Sequence, residues 1–193
     1  MSLVLASASA RRRELLAAAG FAFEVIAADI DEQIRDGEVP ADYARRMALE
    51  KASAVRHKAG TRPVLGADTI VVVDGSVLGK PVDDADAVRM LRLLSGRMHE
   101  VVTAVAVWWP AADAPDVAVE TTEVWMRVIA PEEIAAAVAS GEPRDKAGAY
   151  AIQGLASRWV TRINGAYDTV VGLPVTAVHR MLRHRVSGAY PLR

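Results

Sequence analysis

A chain of 193 residues with a formal net charge of −1 and no cysteine is long enough for one sizeable core, and a single domain over 1–193 is expected. The near-neutral charge excludes a global basic field for holding a nucleic-acid polymer. The lack of cysteine excludes thiol nucleophiles, CxxC redox chemistry and cysteine-based zinc sites. With 52% hydrophobic and 24% charged residues the composition is that of a folded globular protein. The apolar start Met1-Ser2-Leu3-Val4-Leu5-Ala6-Ser7 is too short for a signal h-region and runs into Arg11-Arg12-Arg13, the wrong charge order for secretion. No stretch approaches the roughly 18 apolar residues of a spanning helix. A soluble, cytoplasmic protein is expected.

In chain order, strand-like and helix-like segments alternate, which predicts an α/β fold. Leu3–Ala6 reads as a short apolar strand. Ser9 suits the N-cap of a helix over about Ala10–Ala19, with Gly20 at its C′ position. Glu24–Ala27 returns as a strand, and Pro40 opens a helix running to about Lys58. On that helix Ala44, Met47, Ala48, Ala52 and Val55 form an apolar stripe, and Lys51 falls inside it. Pro63–Val73 reads as a long β segment, and Asp74-Gly75 as a hairpin turn into Val77-Leu78. Asp83 caps a third helix with Val88, Leu91 and Leu94 toward the core, ended by Ser95-Gly96. Strands follow near Val101–Trp109 and Val117–Val128, and then a helix from Pro131 to Ser140-Gly141. Gly148–Ile152 and Trp159–Ile163 are expected as strands, and Pro174 begins a last helix to about His184.

Certain residues stand out chemically. Ser7-Ala8-Ser9-Ala10-Arg11-Arg12 lies where a strand turns into a helix, so free backbone N–H groups, hydroxyls and forked guanidinium donors could together hold an anion. A simply capped helix with solvated arginines is the alternative. Asp68 interrupts the apolar run Val64–Val73, where a carboxylate is disfavoured and costly unless paired or metal-bound. A strand-breaking turn at Gly66 and Asp68 is the other reading. Lys51 is a snorkelling stem or a functional cation; Lys80 sits in the rigid turn Leu78-Gly79-Lys80-Pro81. Glu32, in the acidic loop Asp29–Gln33, is merely solvated or is an oxygen ligand for a divalent cation. The segment Gly141–Gly154 gathers charges, an aromatic and the amide of Gln153, followed by a glycine that would let a ligand approach. The four histidines, His57, His99, His179 and His184, lack zinc-hydrolase spacing and read as surface or cap residues. No GxSxG elbow, Walker A loop or GxGxxG is present. The tryptophans, Trp108-Trp109, Trp125 and Trp159, fit core or subunit-contact positions.

Taken in order, Leu5–Leu16, Gly66-Ala67-Asp68-Thr69, Leu78-Gly79-Lys80-Pro81, Leu94–Val105, Asp145–Gly154 and Val171-Gly172-Leu173-Pro174 resemble the Maf family of nucleoside-triphosphate pyrophosphatases over nearly the whole chain. The resemblance implies a Maf and inosine-triphosphatase-like α/β fold, a long twisted mixed sheet flanked by helices, with two lobes around a cleft. It implies Asp68 as proton acceptor, and Ser7, Ser9, Arg11 and Arg12 as triphosphate binders. Glu32, Lys51 and Lys80 match the family's other polar positions, with Glu32 and Asp68 implied to bind Mg²⁺, Mn²⁺ or Co²⁺. Arg11, Thr69 and Gln153 together resemble the branch acting on dTTP and UTP. A branch acting on methylated GTP, other modified or non-pyrimidine triphosphates, and a nucleotide-sensing role in septum formation are the alternatives. A homodimer is implied. The chain departs from the family at Ala10, where many members have proline, and at Tyr167-Asp168-Thr169, where Asp168 has no assigned role.

Overall fold

The computed structural model describes residues 2–185; the side chain of His184 and the ends of the 1–193 span lie outside the described residues. The chain runs β1 (Ser2–Leu5), α1 (Ala10–Ala18), β2 (Ala22–Val25), α2 (Pro40–Val55), β3 (Val64–Val73), β4 (Ser76–Leu78) and α3 (Asp84–Leu94). It continues through β5 (Met98–Trp108), β6 (Asp116–Met126), α4 (Pro131–Ala139), β7 (Val160–Asn164), α5 (Tyr167–Val171) and α6 (Val175–Arg185). The strands form a seven-stranded mixed sheet in the order β2-β1-β3-β5-β6-β7, with β4 paired to β3. β1 pairs in parallel with β2 and β3, whereas β3–β4 and β6–β7 are antiparallel. Among the described residues no helix is long and apolar enough to cross a membrane.

Chain contacts group the fold into two units, one of 2–68, 103–120 and 172–185, the other of 69–102 and 121–171. In the first, Leu3, Leu5, Leu16, Leu65, Val105, Val107, Leu173 and Leu182 form the core. The parallel register aligns Leu5 with Leu65, so β1 and β3 send their carboxyl ends the same way. In an α/β sheet that edge is where ligands bind. In the second unit Val71, Leu91, Leu94, Val101, Val124, Ile134 and Trp159 pack together, with Val88 partly buried against them.

The local chemistry explains most boundaries. Ser9 caps α1 and Asp83 caps α3, each accepting from an amide of the first turn. Asp74 and Gly75 both take positive φ, 49° and 75°, the geometry of a two-residue hairpin. α2 ends at Val55, three residues short of expectation, because Arg56–Lys58 tighten into a 3-10 turn. Gly148–Ile152 is not a strand. Ala147–Ala149 forms a 3-10 turn in which Gly148 and Ala149 have φ of 66° and 61°, and the Gly148 amide donates to Gly79 O. That amide is used across the chain rather than in a ladder.

Candidate active site

Between β1 and α1 the chain is pre-organised by its own hydroxyls. Ser9 Oγ accepts from the Arg12 amide at 3.4 Å, while Ser7 Oγ accepts from the Ser9 amide at 3.3 Å and from Arg12 Nη1 at 3.1 Å. With both acceptor positions engaged, the Ser7 hydroxyl retains its proton for another acceptor. Arg12 is buried and does more than present charge. Its Nε donates to Gly172 O at 2.8 Å and its Nη1 to Ala67 O at 2.9 Å, so one side chain ties the loop, β3 and the residue before Leu173 together. Burial lowers the basicity of its guanidinium, and the Asp68 charge acts in the opposite direction. Arg11, at the same helix start, is half-buried. A helix start with hydroxyls and arginines is a natural anion seat.

Asp68 lies within an unbroken β3, not in a turn. It is 6% exposed, and Lys51, 7% exposed, donates to its Oδ1 at 2.6 Å. The same ammonium lies 2.9 Å from Glu32 Oε1. Lys51 therefore bridges two carboxylates rather than snorkelling to water. Gly66 makes this possible. A Cβ there would lie 2.2 Å from Ala48 O and 2.7 Å from Ala52 N, so α2 packs directly on the β3 backbone and delivers Lys51 beside Asp68.

Two residues that sequence reasoning missed hold Glu32 in place. Tyr43 Oη donates to Glu32 O at 2.7 Å, and Arg46 Nη2 donates to Gln33 O at 2.9 Å. Arg46 also grips both Glu38 oxygens at 2.6 Å. Burial, then the charges of Asp68 and Glu32, pushes Tyr43 up to about 12, so it remains a donor. Tyr43 and Met47 precede Lys51 at successive four-residue steps, and that spacing was the available signal.

Burial is the largest influence on Asp68 and raises it above the ordinary carboxylate range; Lys51 and Arg12 oppose that rise. Desolvation that raises a carboxylate is the direction that makes it a better proton acceptor. The donor set also fits a hard divalent cation of the magnesium kind. Glu32 and Asp68 converge on one cationic point, and magnesium is commonly held by one or two carboxylates completed by water and phosphate oxygens. Among the described residues no group of three or more His, Asp or Glu could hold a metal ion. Two carboxylates leave the remaining positions around such a cation to water or phosphate oxygens.

The other expected residues belong to the second unit: Thr69 is half-buried on β3, and Lys80 and Gln153 are exposed. The space at Gly154 is not left for a ligand. The Glu142 carboxylate fills it, with Oε1 2.0 Å from where a Cβ would stand. His99 is not a surface residue: it is 1% exposed, with Nε2 2.7 Å from Tyr150 Oη and Nδ1 without a hydrogen bond among the described residues. Trp109 and Trp159 are buried, and Trp108 and Trp125 are half-buried under the guanidiniums of Arg56 and Arg162.

The family profile described as Maf-like protein matches residues 2–185. The chain belongs to the Maf family. Proteins named dTTP/UTP pyrophosphatase from Koribacter versatilis, Geobacter sulfurreducens and Shewanella oneidensis are 53%, 54% and 50% identical to it. The matches cover 95%, 94% and 94% of this chain and 94%, 95% and 97% of theirs. In this Maf-family protein Ala10 opens α1 without the helix-start proline of many members, and the Ser7, Ser9 and Arg12 hydrogen bonds order the loop instead. Asp168 falls in the first turn of α5.

Proposed function

We propose that this protein hydrolyses nucleoside triphosphates, dTTP and UTP foremost, to the nucleoside monophosphate and pyrophosphate. The observation that carries the reading is the Lys51 ammonium shared by the buried Asp68 and the exposed Glu32, in the same unit as a capped helix start bearing Ser7, Ser9, Arg11 and Arg12. The names of the relatives supply the nucleotide class.

Cleavage between the α and β phosphorus needs charge neutralisation, an aligned water and a base. In this reading the α1 amides, the Ser7 hydroxyl and Arg11 hold phosphate oxygens, and Arg12 fixes the loop while adding charge. Lys51 and Lys80 add further positive charge. A divalent cation held by Glu32 and Asp68, when bound, supplies Lewis-acid stabilisation of the phosphate oxygens. Asp68 takes the proton of the attacking water, with Lys51 holding its Oδ1. Thr69 and Gln153 read the base. Both units act as one domain, as the uninterrupted family match over residues 2–185 supports. The family reading also carries a homodimer in the cytoplasm.

The decisive experiment is pyrophosphate release from UTP, dTTP, methylated GTP and inosine triphosphate, with Mg²⁺, Mn²⁺ and Co²⁺ in turn, for wild type and Asp68→Asn. Wild type should favour UTP and dTTP. The variant should fold and lose about 10²–10⁴-fold in kcat. Near-normal turnover by folded Asp68→Asn removes the proton-acceptor role, and a preference for methylated GTP removes the pyrimidine assignment.

A further inference from the structure

The segment from Ser140 to Ser157 carries the residue assigned to the base, yet no regular element holds it. It is a succession of 3-10 turns, Glu142–Asp145, Ala147–Ala149 and Leu155–Arg158. Its middle is anchored: the Gly148 amide donates to Gly79 O at 3.0 Å, and Tyr150 Oη meets His99 Nε2 at 2.7 Å. A Cβ on Gly148 would lie 2.9 Å from the Val71 side chain, and Ala149 holds a left-handed φ of 61° while 1% exposed. Buried non-glycine residues keep such backbone only where their surroundings dictate it. The turn beyond these anchors, Ala151–Gly154 with Gln153 at its exposed tip, closes on itself through the Gly154 amide and Ala151 O at 2.9 Å. That local bond fixes the turn's shape but not its position.

Ile152 and Leu155 pack partly against the core on either side of Gln153, and one carboxylate supplies the polar anchor at the turn's far end. Glu142 Oε1 and Oε2 accept from the Leu155 amide at 3.0 and 3.3 Å, directly after the turn, and Oε1 fills the space of the missing Gly154 side chain. Glu142 is itself held from both sides. Its amide donates to Ser140 Oγ at 3.2 Å, and Lys146 Nζ donates to its carbonyl at 2.7 Å. A fixed carboxylate accepting a backbone N–H is a strong, directional bond. The geometry assigns Glu142 as the positioning residue for Gln153: it sets where the amide of Gln153 meets the base, without touching the nucleotide. This rests on the reading that Gln153 selects the base. It also gives Gly154 a purpose other than ligand approach, since only glycine leaves room for the Glu142 carboxylate.

Positioning of a base reader acts on binding shared by ground and transition states, so it moves KM and selectivity rather than kcat. The test is steady-state pyrophosphate release from UTP and CTP by Glu142→Ala, Glu142→Gln, Gly154→Ala and Gln153→Ala, with amide hydrogen exchange over residues 150–157. Loss of one charge-assisted anchor should raise KM for UTP about tenfold. Glu142→Ala should therefore narrow the UTP-over-CTP ratio by a similar factor, hold kcat within about threefold, and speed exchange at Leu155. Gly154→Ala displaces the carboxylate and should reproduce this. Glu142→Gln keeps an acceptor oxygen and should recover most of the ratio. A uniform loss of kcat on both nucleotides with the ratio intact overturns the assignment, and so does an unaltered ratio in folded Glu142→Ala. If Glu142→Ala does not fold, folded Gly154→Ala and Glu142→Gln decide by the same ratio. An unchanged ratio in Gln153→Ala instead removes the base-reading assignment beneath it; a shift there with none in Glu142→Ala removes the positioning role alone.

Discussion

Replacing Gly66 by alanine tests whether the approach of α2 to β3 builds the site. The φ of Gly66 is not positive, so alanine fits the local backbone; without neighbours the change would stabilise by about 0.4–1 kcal/mol through the unfolded chain. The neighbours reverse the sign. The new Cβ would stand 2.2 Å from Ala48 O and 2.7 Å from Ala52 N, both rigid backbone atoms. Carbon–oxygen contacts begin near ~3.3 Å, so α2 must retreat by roughly 1 Å. Such overpacking costs about 1–3 kcal/mol, a fall in Tm of roughly 2–12 °C for a chain this long. Lys51 follows Ala48 by one turn and moves with the helix, stretching its 2.6 Å bond to Asp68 beyond good hydrogen-bond length. A displacement of this size in a reacting centre costs about 10²-fold in rate. Thermal melting and pyrophosphate release at saturating UTP measure the two effects. Gly66→Ala/Ala52→Gly serves as control: it removes the contact at 2.9 Å and leaves Ala48 O at 2.2 Å, so it should not rescue. A Gly66→Ala variant with unaltered Tm and turnover, or full rescue by the double change, refutes the reasoning.

Lys51→Met strands the buried Asp68 carboxylate, and breaking one side of a buried pair costs about 3–5 kcal/mol. Because unpaired Asp68 then titrates still higher, the deficit should shrink as pH falls from 8 to 5; a pH-independent deficit contradicts the pairing. His99, held down to about 4 by burial, is neutral when folded, whereas the unfolded chain protonates near 6.5. The unfolded state therefore binds the extra proton between those values, and stability falls by about 3 kcal/mol as pH drops from 6.5 to 4. Melting curves of wild type against His99→Gln across that window should show the slope lost in the variant, and an equal slope in both sinks the idea. Gln153→Ala should bring UTP and CTP turnover toward parity while the pyrophosphate product is unchanged, which chromatography of the products checks.

The anomalies in the sequence proved to be partners of one another. Asp68 and Lys51 are each the wrong kind of residue for an apolar β run and an apolar helix stripe, and each is the partner that excuses the other. Ser9, Asp83 and Asp74-Gly75 act through neighbours a few residues away, so their caps and turn were legible locally. What stayed hidden depends on partners distant in the chain. The alternation Gly148–Ile152 looks like a strand, but its Gly148 amide is committed to Gly79. His99 read as a surface residue because the strand was expected to begin at Val101; β5 begins at Met98, and period-two alternation turns His99 inward with Val101. Tyr43 and Arg46 serve a loop whose path no periodicity predicts.

The Arg12 strut bears on how the protein is made. Its Nε bond to Gly172 O joins residues 160 positions apart, so the loop between β1 and α1 is braced by a carbonyl synthesised long after the loop itself. Domains emerge from the ribosome N-terminus first at about 5–20 residues per second. The nascent chain therefore holds Ser7 and Ser9 for many seconds before the carbonyl that locks Arg12 exists. Activity should switch on only once Gly172 has emerged, and C-terminal truncations ending before Gly172 should be inert however much of the sheet they retain.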